Sequence, residues 1–148
     1  MRPPELKLDW ATADGTVVTI RPITPADEAI ELAFVGGLSA DSRYLRFLAP
    51  IKNLTPRMLD KFINVDFPRE MALIATIPSP QGEQEIGVAR YALDDATGTA
   101  EFAIVVADAW QGQGIGRELL RQLFEIAQAT GIGRMEGFVL KVNRKMLV

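Results

Sequence analysis

Apolar residues fall at helical spacing from about residue 24 to 63, at strand spacing from 71 to 107, and at helical spacing again from 115 to 129. Ahead of these blocks, residues 1–13 read as an arm with little periodicity. Asp14-Gly15 signals a turn, and residues 16–20 form a β-rich run ended by Arg21-Pro22. Thr24-Pro25-Ala26-Asp27 combines an N-cap hydroxyl, a proline at the first helical position and an acid three residues past the cap. It predicts a helix to Val35, stopped by Gly36-Gly37. Ser39 predicts a second short helix with Tyr44, Phe47 and Leu48 on its apolar face and Pro50 at its end. Thr55-Pro56 opens a third, with Met58, Leu59, Phe62 and Ile63 at helical spacing.

The middle block divides into three strand-like runs, 71–77, 85–93 and 99–107, joined by Ser79-Pro80-Gln81-Gly82 and by residues 94–98. Connections this short predict antiparallel neighbours. In the third run Glu101, Ala103 and Val105 share one face, and Phe102, Ile104 and Val106 the other. Ile115, Leu119, Leu123 and Ala127 then mark a helix that stops at Thr130-Gly131, and residues 134–140 make a last strand. A strand, helix, strand order predicts that this last strand lies parallel to the run at 101–107. The expected architecture is an α/β sandwich of the α+β kind: an antiparallel meander plus one parallel strand pair, with helices on both faces.

Composition narrows the chemistry. A chain of 148 residues with 48% apolar and 24% charged residues is one soluble domain, expected in the cytoplasm. The net charge of −3, with both signs interspersed, gives no nucleic-acid footprint, and no apolar run approaches the ~20 residues that span a bilayer. The chain has no cysteine, so disulfides, thiolate metal sites and an acyl-cysteine intermediate are excluded. It has no histidine, which removes the commonest general base and metal ligand. No metal is expected, and base chemistry near neutral pH falls to a carboxylate.

The candidate site is Gln111-Gly112-Gln113-Gly114-Ile115-Gly116, a glycine-rich turn between a strand and a helix. Backbone without Cβ atoms approaches an anion closely, and the first N–H groups of a helix lack intrahelical partners and sit at its positive end. Ten positions upstream stands Glu101, a candidate base, with Glu70, Asp66 and Asp108 as rivals. A dinucleotide fingerprint requires glycine where Arg117 stands, and a Walker loop requires Gly-Lys-Ser or Gly-Lys-Thr. Neither fits, and a phosphorylated cofactor of another kind is expected.

Gln111, Gly114 and Gly116, after the run from Glu101, resemble the acetyl-CoA-binding motif of the GNAT superfamily of N-acetyltransferases. Residues 17–22 resemble that family's first strand, and Asn143-Arg144-Lys145-Met146 the start of its last motif. Ser42-Arg43-Tyr44-Leu45-Arg46-Phe47 and Arg69-Glu70-Met71-Ala72-Leu73 resemble Pat-type protein lysine acetyltransferase domains.

The resemblance implies one acetyltransferase domain over residues 1–148. The N–H groups of Gln113, Gly114, Ile115, Gly116 and Arg117 would hold the pyrophosphate. The pantetheine arm would run along Val105 and Val106 and meet Asn143, and a main-chain N–H near Val106 would polarise the thioester. Glu101, buried among Phe102 and Ile104, would be the general base, and the acceptor a protein lysine or a small amine. The family pattern continues past Asn143 with a helix and two strands, so the domain is expected to be truncated. The strand from Arg134 to Val139 is then expected to support self-association, and the tyrosine that protonates the leaving thiolate in many relatives has no counterpart beyond Tyr44 and Tyr91. A non-catalytic acyl-CoA-binding regulatory domain is the alternative, with a dinucleotide-dependent oxidoreductase a distant third.

Overall fold

The structure, a computed structural model, describes residues 4–36 and 56–138. The helix expected after Ser39, the 42–47 segment, the strand end at 139–140 and Asn143 lie outside them. Six strands form one sheet in chain order: β1 (Leu8–Ala11), β2 (Val17–Pro22), β3 (Glu70–Ser79), β4 (Gly82–Asp94), β5 (Thr99–Val106) and β6 (Met135–Phe138). Neighbours are antiparallel from β1 to β5, and β5 and β6 are parallel. The helices are α1 (Glu28–Gly36), α2 (Pro56–Ile63) and α3 (Ile115–Ala129), with short 3-10 turns at Pro25–Asp27 and Asp108–Trp110. The meander, the parallel pair and helices on both faces are as the sequence predicts.

Each helix forms where its caps and apolar stripe direct. Thr24 and Asp27 make the expected capping box ahead of α1. On α3, Ile115, Leu119, Leu123 and Ala127 recur every four residues and are buried against Met71, Leu73, Ala89 and Ile104 on one face of the sheet. Leu119 and Leu123 are fully buried, each worth about 1.5–3 kcal/mol of transfer free energy. On the other face Phe34 and Val35 of α1 and Leu59 and Ile63 of α2 close over Ile74, Val88, Ala103 and Val105.

Two local features shape the end of the sheet nearest the glycine-rich turn. In β4 the register steps from Ala75↔Gly87 to Thr76↔Glu85, so Ile86 is an extra residue and β4 bulges there. The second feature corrects the sequence reading: part of the supposed N-terminal arm is a strand. Leu8–Ala11 pairs with residues 17–20 of β2, and Leu6, Leu8 and Trp10 pack against the α3-side core. Lys7 and Asp9 alternate with them and face solvent, a period of two that was present in the sequence but too short to stand out.

Candidate active site

At the C-terminal end of β5 the chain makes the 3-10 turn Asp108–Trp110 and enters α3 through two left-handed glycines, Gly112 at φ 81° and Gly114 at φ 86°. That conformation disfavours any side chain with a Cβ. Gly114 is the N-cap, and the first helical bond runs from the Glu118 N–H to the Gly114 carbonyl at 3.1 Å. The N–H groups of Ile115, Gly116 and Arg117 therefore have no intrahelical acceptor and lie at the positive end of a fifteen-residue helix. Gln111 fixes the turn: its Nε2 donates to the Val106 carbonyl at 3.0 Å and to Asp108 Oδ1 at 3.1 Å.

The turn borders a groove of about 580 Å³ lined by Val106, Trp110, Gly112, Gly114, Arg117 and Phe124, among others. Arg117 is exposed at its mouth. Gln111, Ile115 and Gly116 also line the groove, so the structure brings together most of the residues expected to hold the cofactor. It adds one that the sequence reading passed over. Trp10 of β1 stands against the turn, so close that a Cβ on Gly114 would lie 3.3 Å from its ring.

The Val106 backbone has a specific orientation. Val106 faces Gly87, and Ala107 N–H donates to the Ile86 carbonyl across that pair at 2.8 Å. In an antiparallel ladder this marks a non-hydrogen-bonded pair, whose own N–H and C=O point away from the partner strand. The Val106 N–H thus points to the β6 side of β5. Described pairing with β6 runs from Ala100↔Met135 to Ala103↔Phe138.

Glu101 lies five residues before Val106, about 16 Å along the strand. It is exposed, on the face that carries α1 and α2. The burial expected from Phe102 and Ile104 is not provided, because both side chains point to the α3 face, where Phe102 meets Phe124 edge-on at 5.1 Å. The register sets Glu70, Ala92, Glu101 and Glu136 in one row across four strands, all on the face of Glu101. Of the rival acids, Glu70 accepts the Asp66 N–H at 3.1 Å, and Asp108 is bound by Gln111. Glu136 pairs with Arg134 at 3.4 Å. Arg90, on the neighbouring strand β4, binds Glu31 at 3.1 Å. Tyr91 is buried, and its hydroxyl donates to the Pro68 carbonyl at 3.0 Å. Among the described residues no tyrosine lines the groove, no cluster of side chains has metal-ligand character, and no helix is long and apolar enough to cross a membrane.

A glycine turn feeding a helix at the end of β5, beside the parallel pair, is the arrangement expected for coenzyme A. Residues 18–147 match the acetyltransferase (GNAT) domain family. The chain belongs to the GNAT acetyltransferase family. It is 35% identical over 133 residues to an acetyltransferase of Pseudomonas aeruginosa, a match covering 90% of this chain and 72% of that protein. The crystal structure of the GNAT domain of S. lividans PAT superposes with a TM-score of 0.83 at 33% identity, over 99% of this chain and 86% of that one. A cAMP-binding acyltransferase from Mycobacterium smegmatis shares the fold at a TM-score of 0.62 and 24% identity, where this chain spans 40% of the other. As a GNAT domain the chain is an N-acetyltransferase, and the enzymes of this family use acetyl-CoA.

Proposed function

We propose that this domain moves the acetyl group of acetyl-CoA directly to a lysine side chain of a protein, with both substrates bound together. The observation that carries the cofactor half is the α3 N-terminus, where the N–H groups of Ile115, Gly116 and Arg117 converge on the groove. With Gln113 and Gly114 they would cradle the pyrophosphate, and the Arg117 guanidinium adds charge. From there the pantetheine arm follows Val105 and Val106 back along β5 toward the level of Glu101. The Val106 N–H, not spent on β4, supports the thioester carbonyl as negative charge develops on it. A donor in that role is worth about 2.7–4 kcal/mol in the transition state.

Lysine titrates near 10.4, so the attacking amine must first lose a proton. Glu101 takes it through a chain of waters rather than directly, because it stands on the sheet face opposite the groove and about 16 Å along β5 from Val106. Cofactor and acceptor thereby approach the strand from different sides. The amine nitrogen forms the new amide bond as the carbon–sulfur bond breaks, and the second proton that the nitrogen loses passes through solvent to the departing thiolate. Glu70, in the same row, is the second candidate for the base.

A protein acceptor is favoured over a small amine by the Pat-like segments and by the 33% identity to the S. lividans PAT domain. The test is turnover of acetyl-CoA against a lysine-containing protein and a panel of small amines, with mass spectrometry of the products. Faster acetylation of lysine side chains supports the reading, and turnover confined to small amines overturns it. Acetyl-CoA binding with no turnover on either class would support a regulatory domain.

A further inference from the structure

Between α1 and β4 lie two carboxyl groups that this reaction does not use. Glu31 of α1 is 0% exposed, and Glu85, next to the β4 bulge, is 3% exposed. Glu31 Oε2 binds Arg90, its Oε1 receives no hydrogen bond, and neither oxygen of Glu85 receives one. The two carboxyls are within hydrogen-bonding reach of each other. If both were ionised, each would offer the other only acceptors in a place closed to water. A proton on Glu85 converts that contact into an O–H···O⁻ bond.

Among the described residues, the surroundings supply too little positive charge for two anions. Arg90 is the cation of β4 that meets Glu31, and its guanidinium carbon lies 4.9 Å from the centre of the Phe62 ring of α2. Asp27, in the turn before α1, adds a further negative charge. Arg21 of β2 is committed to Asp27 at 2.7 Å and to Glu83 of β4 at 2.9 Å. From β3 the neighbouring group is the Thr76 hydroxyl, which donates to Glu83 at 2.7 Å.

We propose that Glu31 and Glu85 share one proton and form a latch that fastens α1 to the bulge of β4, and that raising the pH opens it. Burial, and then the charge of Glu31, push the Glu85 carboxyl well above the usual carboxylate range. The latch adjoins the cofactor end of the sheet. Glu85 precedes Ile86, whose carbonyl holds the Ala107 N–H, and Gly87 faces Val106, whose carbonyl is held by Gln111. Opening the latch would therefore loosen the segment that leads into the glycine turn.

The direction of the pH effect follows from proton linkage. The folded chain keeps a proton that the unfolded chain loses near 4.5. The stabilisation is complete below that pH and is lost as pH rises toward the folded value, by at most about tenfold in the folding constant per pH unit. The experiment follows urea unfolding and acetyl-CoA affinity of the full chain from pH 6 to 10, in wild type and in Glu85→Gln. The glutamine amide can donate to Glu31 and has no proton to lose. Wild type should lose stability and affinity with rising pH, and Glu85→Gln should be nearly flat. Parallel losses in both proteins would overturn the latch.

Should Glu85→Gln fail to fold, carboxyl carbon NMR of glutamate-labelled wild type decides. A glutamate titrating above neutral pH is expected, and its absence overturns the proposal. The affinity arm rests on the coenzyme A reading, whereas the unfolding and NMR arms do not. Failure to bind acetyl-CoA at any pH would count against that reading and leave the latch to the other two.

Discussion

Glu101 is the residue on which the proposed chemistry turns, and its neighbourhood is more open than the sequence suggests. Strand alternation put Phe102 and Ile104 on the opposite face, so proximity in sequence was a poor guide to burial. Replacing it with glutamine should leave acetyl-CoA affinity unchanged and lower the turnover rate about 10²–10⁴-fold near neutral pH, measured by steady-state kinetics beside a binding titration. A rate within a few-fold of wild type would transfer the role to Glu70 or to water. Gly114 carries a different lesson. Its φ of 86° and the nearby Trp10 ring make it a structural position as well as a proposed cofactor position. Gly114→Ala should cost about 1–2 kcal/mol in denaturant unfolding without any ligand. Lost affinity in that variant must be read against that cost. Gly112, Gly114 and Gly116 were legible because their spacing has few other uses. Glu31 was not singled out, although Glu31, Phe34 and Val35 follow the i, i+3, i+4 spacing of a buried stripe.

At the scale of elements, the strands of the meander, the α3 stripe and the parallel pair could be read from periodicity and connection length. β1 was missed because two inward residues are a weak signal until a partner strand is known. Long-range pairing also explains what sequence spacing could not give: the entry into α1 is pinned from β2. Burial pushes the Asp27 carboxyl up, but hydrogen bonds from Arg21 and Thr24 outweigh it and hold Asp27 below the ordinary carboxylate range. A depressed value of this kind stabilises the fold above the unfolded pKa and is lost as pH falls through the folded one. Asp27→Asn should therefore be less stable than wild type by about 1–3 kcal/mol at pH 7. The gap should narrow as pH drops toward 3 in urea unfolding, and a gap that stays constant with pH would remove Arg21–Asp27 from the acid response.

For the whole molecule, one sheet separates the two proposed roles. Its α3 face carries the groove and the helix N-terminus, and its other face carries Glu101 and the row of acids, with β5 common to both. The central claim is that the α3 N-terminus receives the cofactor, and amide NMR during titration with acetyl-CoA tests it most directly. The amides of Gly114, Ile115, Gly116 and Arg117 should shift first and furthest, with Val106 following as the pantetheine arm settles along β5. Saturable binding that leaves those amides unmoved, or that shifts residues elsewhere on the sheet, would contradict it.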